Sequence, residues 1–166
     1  MAGDASDLTL RPATAADAAA VTAVFLASRR HFIPYAPLAH DDAAIAHWLA
    51  DLVDRSGTVT VATTGDGVVG FVAVSIDEFE SWIDQLYLAP GSTRRGIGSA
   101  LLAHALRQLP RRRPVRLYTF QANTAARAFY ERHGFRPIAE GDGADNEEGR
   151  PDVLYELPAR PHADSS

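Results

Sequence analysis

Arg94, Arg95, Gly96 and Gly98 stand where a strand-like segment hands over to an amphipathic helix. The first amides of a helix point outward without an intrahelical partner, and the helix dipole favours negative charge at that end. Glycines let a ligand come close to such a backbone, and two arginines add charge-assisted donors. Thr93, Ile97, Ser99 and Ala100 complete the turn. This is chemistry for holding a phosphorylated ligand. A Walker P-loop would require Gly-Lys-Ser/Thr, and the chain has no lysine: all 16 of its basic residues are arginine. A dinucleotide fingerprint requires a third glycine three residues after the second, near the first βα turn. That position is Leu101, past the middle of the chain. A glycine turn that binds nothing is the bland alternative.

A second block, Asn123 to Phe135, places Asn123 and Tyr130 seven residues apart, on one face of a helix that Gly134 ends. Read alone, Tyr130 is a core tyrosine, Asn123 an N-cap and Arg127 an exposed arginine. Other chemistries are excluded. Without lysine there is no Schiff base, and without cysteine there is no thiolate nucleophile, thiolate metal site or disulfide. The six histidines are scattered, and none forms a His-x-x-x-His pair beside a carboxylate, so no metal is expected. Ser28 and Ser99 lack the Gly-x-Ser-x-Gly elbow of serine hydrolases.

The net charge of -5 argues against nucleic acid as a partner. Arg111-Arg-Arg113 follows Pro110 and reads as a solvated cap that complements a helix dipole. No apolar run is long enough to span a bilayer, so no membrane partner is expected. The small, acidic first residues do not read as a signal peptide, and a cytoplasmic setting is expected.

These groups are positioned by a regular alternation of elements. Strands are predicted at 8–12, 58–62, 68–74, 81–88, 115–120, 135–139 and 153–157. Helices are predicted from Thr14 to about His31, from Asp41-Asp42 through Val53, from about Arg95 to Leu109, and over 123–133. Gly65-Asp-Gly67 signals a hairpin. The order β-α-α-β-β-β-α-β-α-β-β, with hairpins and one βαβ crossover, predicts an α+β, three-layer fold: a mixed, mostly antiparallel sheet of six or seven strands with about four helices. One domain over 7–157 is expected, with disordered ends at 1–6 and 158–166.

The glycine turn, preceded by a strand ending in Pro90, resembles the acetyl-CoA-binding motif of the GNAT superfamily of N-acetyltransferases. Their pattern is Gln/Arg-x-x-Gly-x-Gly/Ala at the start of a helix. Here the six positions are Thr93-Arg94-Arg95-Gly96-Ile97-Gly98, with Thr93 in place of Gln or Arg. The Asn123/Tyr130/Gly134-Phe135 block resembles the same family, and the likeness covers roughly residues 7 to 157. The segment from Asp142 to Glu148 with Pro151-Asp152 looks like a bacterial subgroup of unassigned substrate.

The resemblance implies an acyltransferase that takes an acetyl group from acetyl-CoA to an amine. Residues 94–99 would hold the pyrophosphate. The backbone of Leu86, Tyr87 and Leu88 would pair with the pantetheine arm like an added strand, and an N–H near Leu88 would polarise the acetyl carbonyl. Tyr130 would be the general acid for the departing thiolate, since a phenol stays protonated at neutral pH. Asn123 would bond the pantetheine arm and Arg127 a CoA phosphate.

In the family, the first inter-helix loop and the last hairpin flank the acceptor. The base is therefore open among Asp84, Glu78, Glu80, Glu147, Glu148, Asp152, His31 and water, each of which also reads as a surface group. Phe32, Tyr35 and Trp82 could shape an acceptor pocket or simply pack. Two readings of the whole follow: an N-acetyltransferase with direct transfer, monomeric or homodimeric, or a non-catalytic acetyl-CoA-sensing module of the same fold.

Overall fold

In a computed structural model the chain is described over residues 7–55 and 57–161. Its elements are β1 (Thr9–Pro12), α1 (Ala18–Phe32), α2 (Asp42–Asp54), β2 (Val59–Thr64), β3 (Gly67–Ile76), β4 (Ser81–Leu88), α3 (Ile97–Gln108), β5 (Val115–Phe120), α4 (Thr124–Arg132), β6 (Arg136–Gly141) and β7 (Asp152–Leu157). The predicted order and the mixed α+β architecture are both found. The strands form one seven-stranded sheet in the order β1-β2-β3-β4-β5-β7-β6. Every neighbouring pair is antiparallel except β4 and β5, which the α3 crossover makes parallel.

Side-chain alternation along the strands feeds two cores, one on each face of the sheet. Val61, Phe71 and Ala73 pack with α1 and α2 through Val21, Phe25 and Leu49. Ala62, Val72 and Leu117 pack with α3 and α4 through Leu101, Leu102 and Tyr130. Local signals set the element ends. The Asp41 carboxylate accepts from the Ala44 amide at 2.8 Å and starts α2. Before α1, Thr14 opens a single 3-10 turn, where the Asp17 carboxylate accepts the Thr14 amide at 2.8 Å and pairs with both terminal nitrogens of Arg11 at 2.7 and 2.9 Å. Gly134, at φ +90°, lets the chain leave α4.

One local irregularity shapes the centre of the sheet. Ala73 lies opposite Gln85 and Val74 opposite Ile83, so Asp84 is an extra residue in β4. Such a bulge bends and twists its strand. The parallel pairing of β4 and β5 covers only Ser81 with Val115 and Trp82 with Arg116. Beyond it β4 stays with β3 to Leu88, while β5 stays with β7 to Phe120. The two strands diverge and leave a gap.

The basic run does not cap α3. Arg111 donates to the Pro158 carbonyl at 3.0 Å, and Arg113 donates to the Asp77 carbonyl at 2.6 Å. Carbonyls of adjacent segments of the same chain are within reach of these half-buried arginines and hold them in place of the helix end. Of the tail expected to be disordered, residues 158–161 are described, and the Arg160 amide donates to the Arg111 carbonyl at 2.8 Å. Residues 1–6 and 162–166 lie outside the described residues.

The Arg11 hydrogen bonds hold the Asp17 carboxyl far below the usual carboxylate range. Its stabilising contribution is thus complete above about pH 4 and fades as pH falls toward the folded value. Asp17→Asn is expected to cost about 2 kcal/mol at neutral pH, and the difference from wild type in urea unfolding should shrink in acid.

Candidate active site

The gap between β4 and β5 is a cleft of about 510 Å³, counted out to solvent. Asp84 and Tyr87 line it from β4, Tyr118 and Phe120 from β5, and Asn123 and Tyr130 from α4. From Ile83 onward the β4 edge that faces β5 has no strand partner. Its outward backbone groups therefore need an acceptor or donor from elsewhere. Leu86 and Leu88 turn their side chains into the core under α3, whereas Tyr87 points to the opposite face, edge-on to Phe25 at 4.9 Å between ring centroids.

At the wide end of the cleft lies the glycine turn. Arg94 (φ 62°) and Gly96 (φ 76°) both adopt the left-handed conformation, and Arg94 is the only non-glycine among the described residues to do so. Alternating backbone hands of this kind turn successive N–H groups inward as an anion nest. Gly96 is the N-cap of α3, and the first amide returned to the helix is that of Ala100, which donates to the Gly96 carbonyl at 3.0 Å. The amides of Ile97, Gly98 and Ser99 precede it and are the unpaired ones. The Arg95 Nη2 is buried and bonds no described residue. A Cβ at Gly98 would make ordinary contacts with Leu88 at 3.5 Å and Phe129 at 3.6 Å, so the turn lies beside β4 and α4 with room for a methyl group. Unpaired amides and an orphaned guanidinium nitrogen fit a diphosphate.

The remaining predicted residues separate into two groups. Thr93 is turned inward, its hydroxyl 3.5 Å from the Pro90 carbonyl, and Ser99 Oγ lies 3.0 Å from His133 Nε2. Asn123 is the N-cap of α4, its side-chain oxygen accepting from the Ala126 amide at 3.2 Å, which leaves its amide nitrogen for the cleft. Arg127 is engaged by neighbouring protein groups. Its Nε donates to the Tyr155 hydroxyl at 3.1 Å and its Nη1 to the Gln121 carbonyl at 3.2 Å. Tyr130 is buried, 8% exposed, and burial pushes its phenol far above the ordinary value, with Tyr87 adding to the shift. No described residue bonds its hydroxyl, so the proton it carries is available to the cleft.

The carboxylates also sort themselves. Glu80 pairs with Arg116 at 3.1 Å, Glu147 with His40 at 3.3 Å and Glu148 with Arg29 at 3.3 Å. Asp152 accepts from Asn146 at 3.2 Å, His31 packs on Phe32, and Glu78 sits exposed in the β3–β4 turn. Only Asp84 among these candidates lines the cleft. It keeps contact with solvent at the mouth, yet the surrounding protein pushes its carboxyl above the ordinary range, against a hydrogen bond from Ser75 that pulls the other way. The aromatic trio does not form one cluster. Trp82 stacks on Tyr118 at 5.8 Å, Tyr35 meets Phe120 edge-on at 6.4 Å, and Phe32 is exposed.

Arg29 is the residue the sequence reading passes over. It continues the stripe of Val21 and Phe25 at a spacing of four, where an arginine on an apolar face is the signal to look for.

A profile of the acetyltransferase (GNAT) family matches residues 24–135. The chain is 28% identical over 120 residues to the uncharacterised N-acetyltransferase YafP of Escherichia coli (strain K12), a match that covers 72% of each chain. Among solved structures, the PaiA N-acetyltransferase of Thermoplasma acidophilum in complex with coenzyme A superposes with a TM-score of 0.72 at 20% identity, covering 91% of this chain and 98% of that one. Ard1 of Thermoplasma volcanium gives 0.74 at 20% identity, covering 93% and 99%.

A carboxyl whose folded value is raised destabilises the fold once pH rises above its unfolded value. Asp84→Asn is therefore expected to be more stable than wild type at neutral pH, with the advantage lost in acid. By NMR, Asp84 should titrate above the ordinary carboxylate range, and Ser75→Ala should move it further up.

Proposed function

Since the chain belongs to the acetyltransferase (GNAT) family, we propose that it moves an acetyl group from acetyl-CoA to a primary amine by direct transfer within the β4–β5 cleft. The observation that carries this reading is the pairing of Asp84 and Tyr130 in one cleft, one at its mouth and one at its buried wall, beside an anion nest. A sensing module would need the nest and the strand edge, but it would have no use for a free buried phenol opposite a carboxyl of raised basicity.

In this reading the amides of residues 97–99 and the Arg95 guanidinium hold the diphosphate of CoA. The free edge of β4 at Leu86, Tyr87 and Leu88 bonds the pantetheine arm as a neighbouring strand would, with the Asn123 amide nitrogen as a further donor. A backbone N–H near Leu88 polarises the acetyl carbonyl. Asp84 takes a proton from the ammonium form of the acceptor, and its raised pKa makes it a stronger base at neutral pH than an ordinary carboxylate. The neutral nitrogen attacks the acetyl carbon, the C–N bond forms and the C–S bond breaks. Tyr130 gives its proton to the departing sulfur. The acylated nitrogen sheds its second proton, which returns to the phenolate by way of solvent in the cleft, and Asp84 then releases its own proton to solvent. Burial raises the proton affinity of the phenol and of a thiolate in the same place, so donor and leaving group shift together. The products are the acetylated amine and CoA.

Tyr130→Phe is expected to lower kcat about 10²-fold with little change in CoA affinity by calorimetry. An unchanged rate at every pH would remove Tyr130 as the acid. Asp84→Asn should lower kcat/KM by about 10²-fold at neutral pH. That loss should shrink as pH passes the pKa of the amine, because the acceptor then arrives already neutral. Tight CoA binding with no turnover on a broad amine panel would favour the sensing module instead.

A further inference from the structure

Arg29 is 6% exposed and sits on the buried stripe of α1. A guanidinium in such a place is costly unless its donors are met. Its central carbon lies 5.8 Å from the ring centroid of Phe25 and 5.6 Å from that of Phe120, so two aromatic rings flank it. Nη2 donates to the Ala36 carbonyl at 3.2 Å and to Glu148 Oε1 at 3.3 Å. Nε is buried and bonds no described residue. An arginine offers Nε–H and an Nη2–H as parallel donors to the two oxygens of one carboxylate. Glu148 meets this fork with one oxygen at a long distance, and the fork is half made.

Two cavities adjoin at this point. Ile33 lines both the β4–β5 cleft and a second hollow, open to solvent, between the end of α1 and the α1–α2 loop, which Arg29 also lines. The other nitrogen-bearing side chains of that second hollow already have partners: Arg30 pairs with Asp42 at 2.5 Å, and His40 Nε2 lies 3.3 Å from Glu147. Phe120, against the Arg29 guanidinium, is itself a wall of the transfer cleft. Glu148 arrives on the β6–β7 loop, which Gly143 folds back at φ +94°. A Cβ there would lie 2.6 Å from the Arg150 backbone, so the loop places Glu148 against Arg29 only with glycine at that position.

We propose that the acceptor is a small amine that also carries a carboxylate, and that this carboxylate takes the half-made fork of Arg29, displacing Glu148. The inference rests on the transfer reading and names its substrate class. The bound acid would seat its carboxylate beside Phe120 and present its amine toward Asp84. An amide has one acceptor oxygen and meets only one of the two parallel donors, and an amine without the acid group meets neither, so neither repays the displacement of Glu148 as a carboxylate does.

The test uses the full chain with acetyl-CoA, follows CoA thiol release, and compares matched sets: an amino acid, its amide and its decarboxylated amine, over small, aliphatic and aromatic side chains, with ω-amino acids and short peptides alongside. The acid is expected to exceed both partners in kcat/KM by about 10²-fold. Arg29→Lys keeps the charge but not the fork and should bring the acid-to-amide ratio close to one. Glu148→Gln leaves Arg29 in place and should lower KM for the acid several-fold, which covers the case in which Arg29→Lys does not fold. Amides or plain amines used as well as the acids, with transfer intact, would overturn this inference and leave the transferase reading standing. A Glu148→Gln variant with a raised KM for the acid would also overturn it. Failure to acetylate any amine would end the transferase reading and this inference together.

Discussion

The divergence of β4 from β5 is the constraint on which the site depends. A parallel pair normally extends its ladder along the whole overlap of the strands, and here it stops after Trp82 and Arg116. The extra residue at Asp84 supplies the twist, and each strand has another partner to follow. What results is a sheet interrupted in its middle rather than at its rim. Natural sheets protect their edges, so an unpaired interior edge beside a helix N-terminus invites a ligand that can act as a strand at one end and an anion at the other. The bulge has a second consequence: the extra residue, a carboxylate, stands at the mouth of the gap it opens.

The two faces of the sheet divide the work. On the α3/α4 face, Ile97, Leu101 and Leu102 of α3 are buried in one core with Leu86 and Leu88 against them, which sets the nest beside the strand edge, and Tyr130 is held in the same core. On the α1/α2 face, Arg29, Phe120 and the β6–β7 loop meet over the other side of the gap. A ligand threaded between the strands would touch both cores. Buried polar groups that would otherwise weaken the fold, a free phenol and a half-satisfied guanidinium, sit on either side of this passage. Strand alternation explains how a single gap can present different chemistry to each face.

Much of this arrangement is legible in the sequence because its signals are local. The glycine turn, the spacing of Asn123 and Tyr130, the Asp41 cap and the Gly65-Asp66 hairpin each depend on a few neighbouring residues, and each appears where expected. What escapes the sequence is set by contacts far apart along the chain. The bulge at Asp84 carries no glycine or proline to announce it. Arg127 reads as a surface cation, but its helix turns it toward Tyr155 and Gln121. Arg111 and Arg113 read as a helix cap, yet carbonyls at Pro158 and Asp77 hold them. Arg29 and Glu148 are separated by 119 positions, and only the packing of the β6–β7 loop against α1 makes them a pair. The carboxylate candidates for the base are alike in type and differ in partner, since ion pairs or hydrogen bonds claim most of them.

The central claim is that the ligand completes the interrupted sheet. Backbone hydrogen exchange with and without acetyl-CoA tests it directly. On addition of acetyl-CoA, exchange is expected to slow at residues 83–88 and 94–100, while the already paired strand β2 is unchanged. Exchange at the β4 edge that stays the same under saturating acetyl-CoA would contradict it.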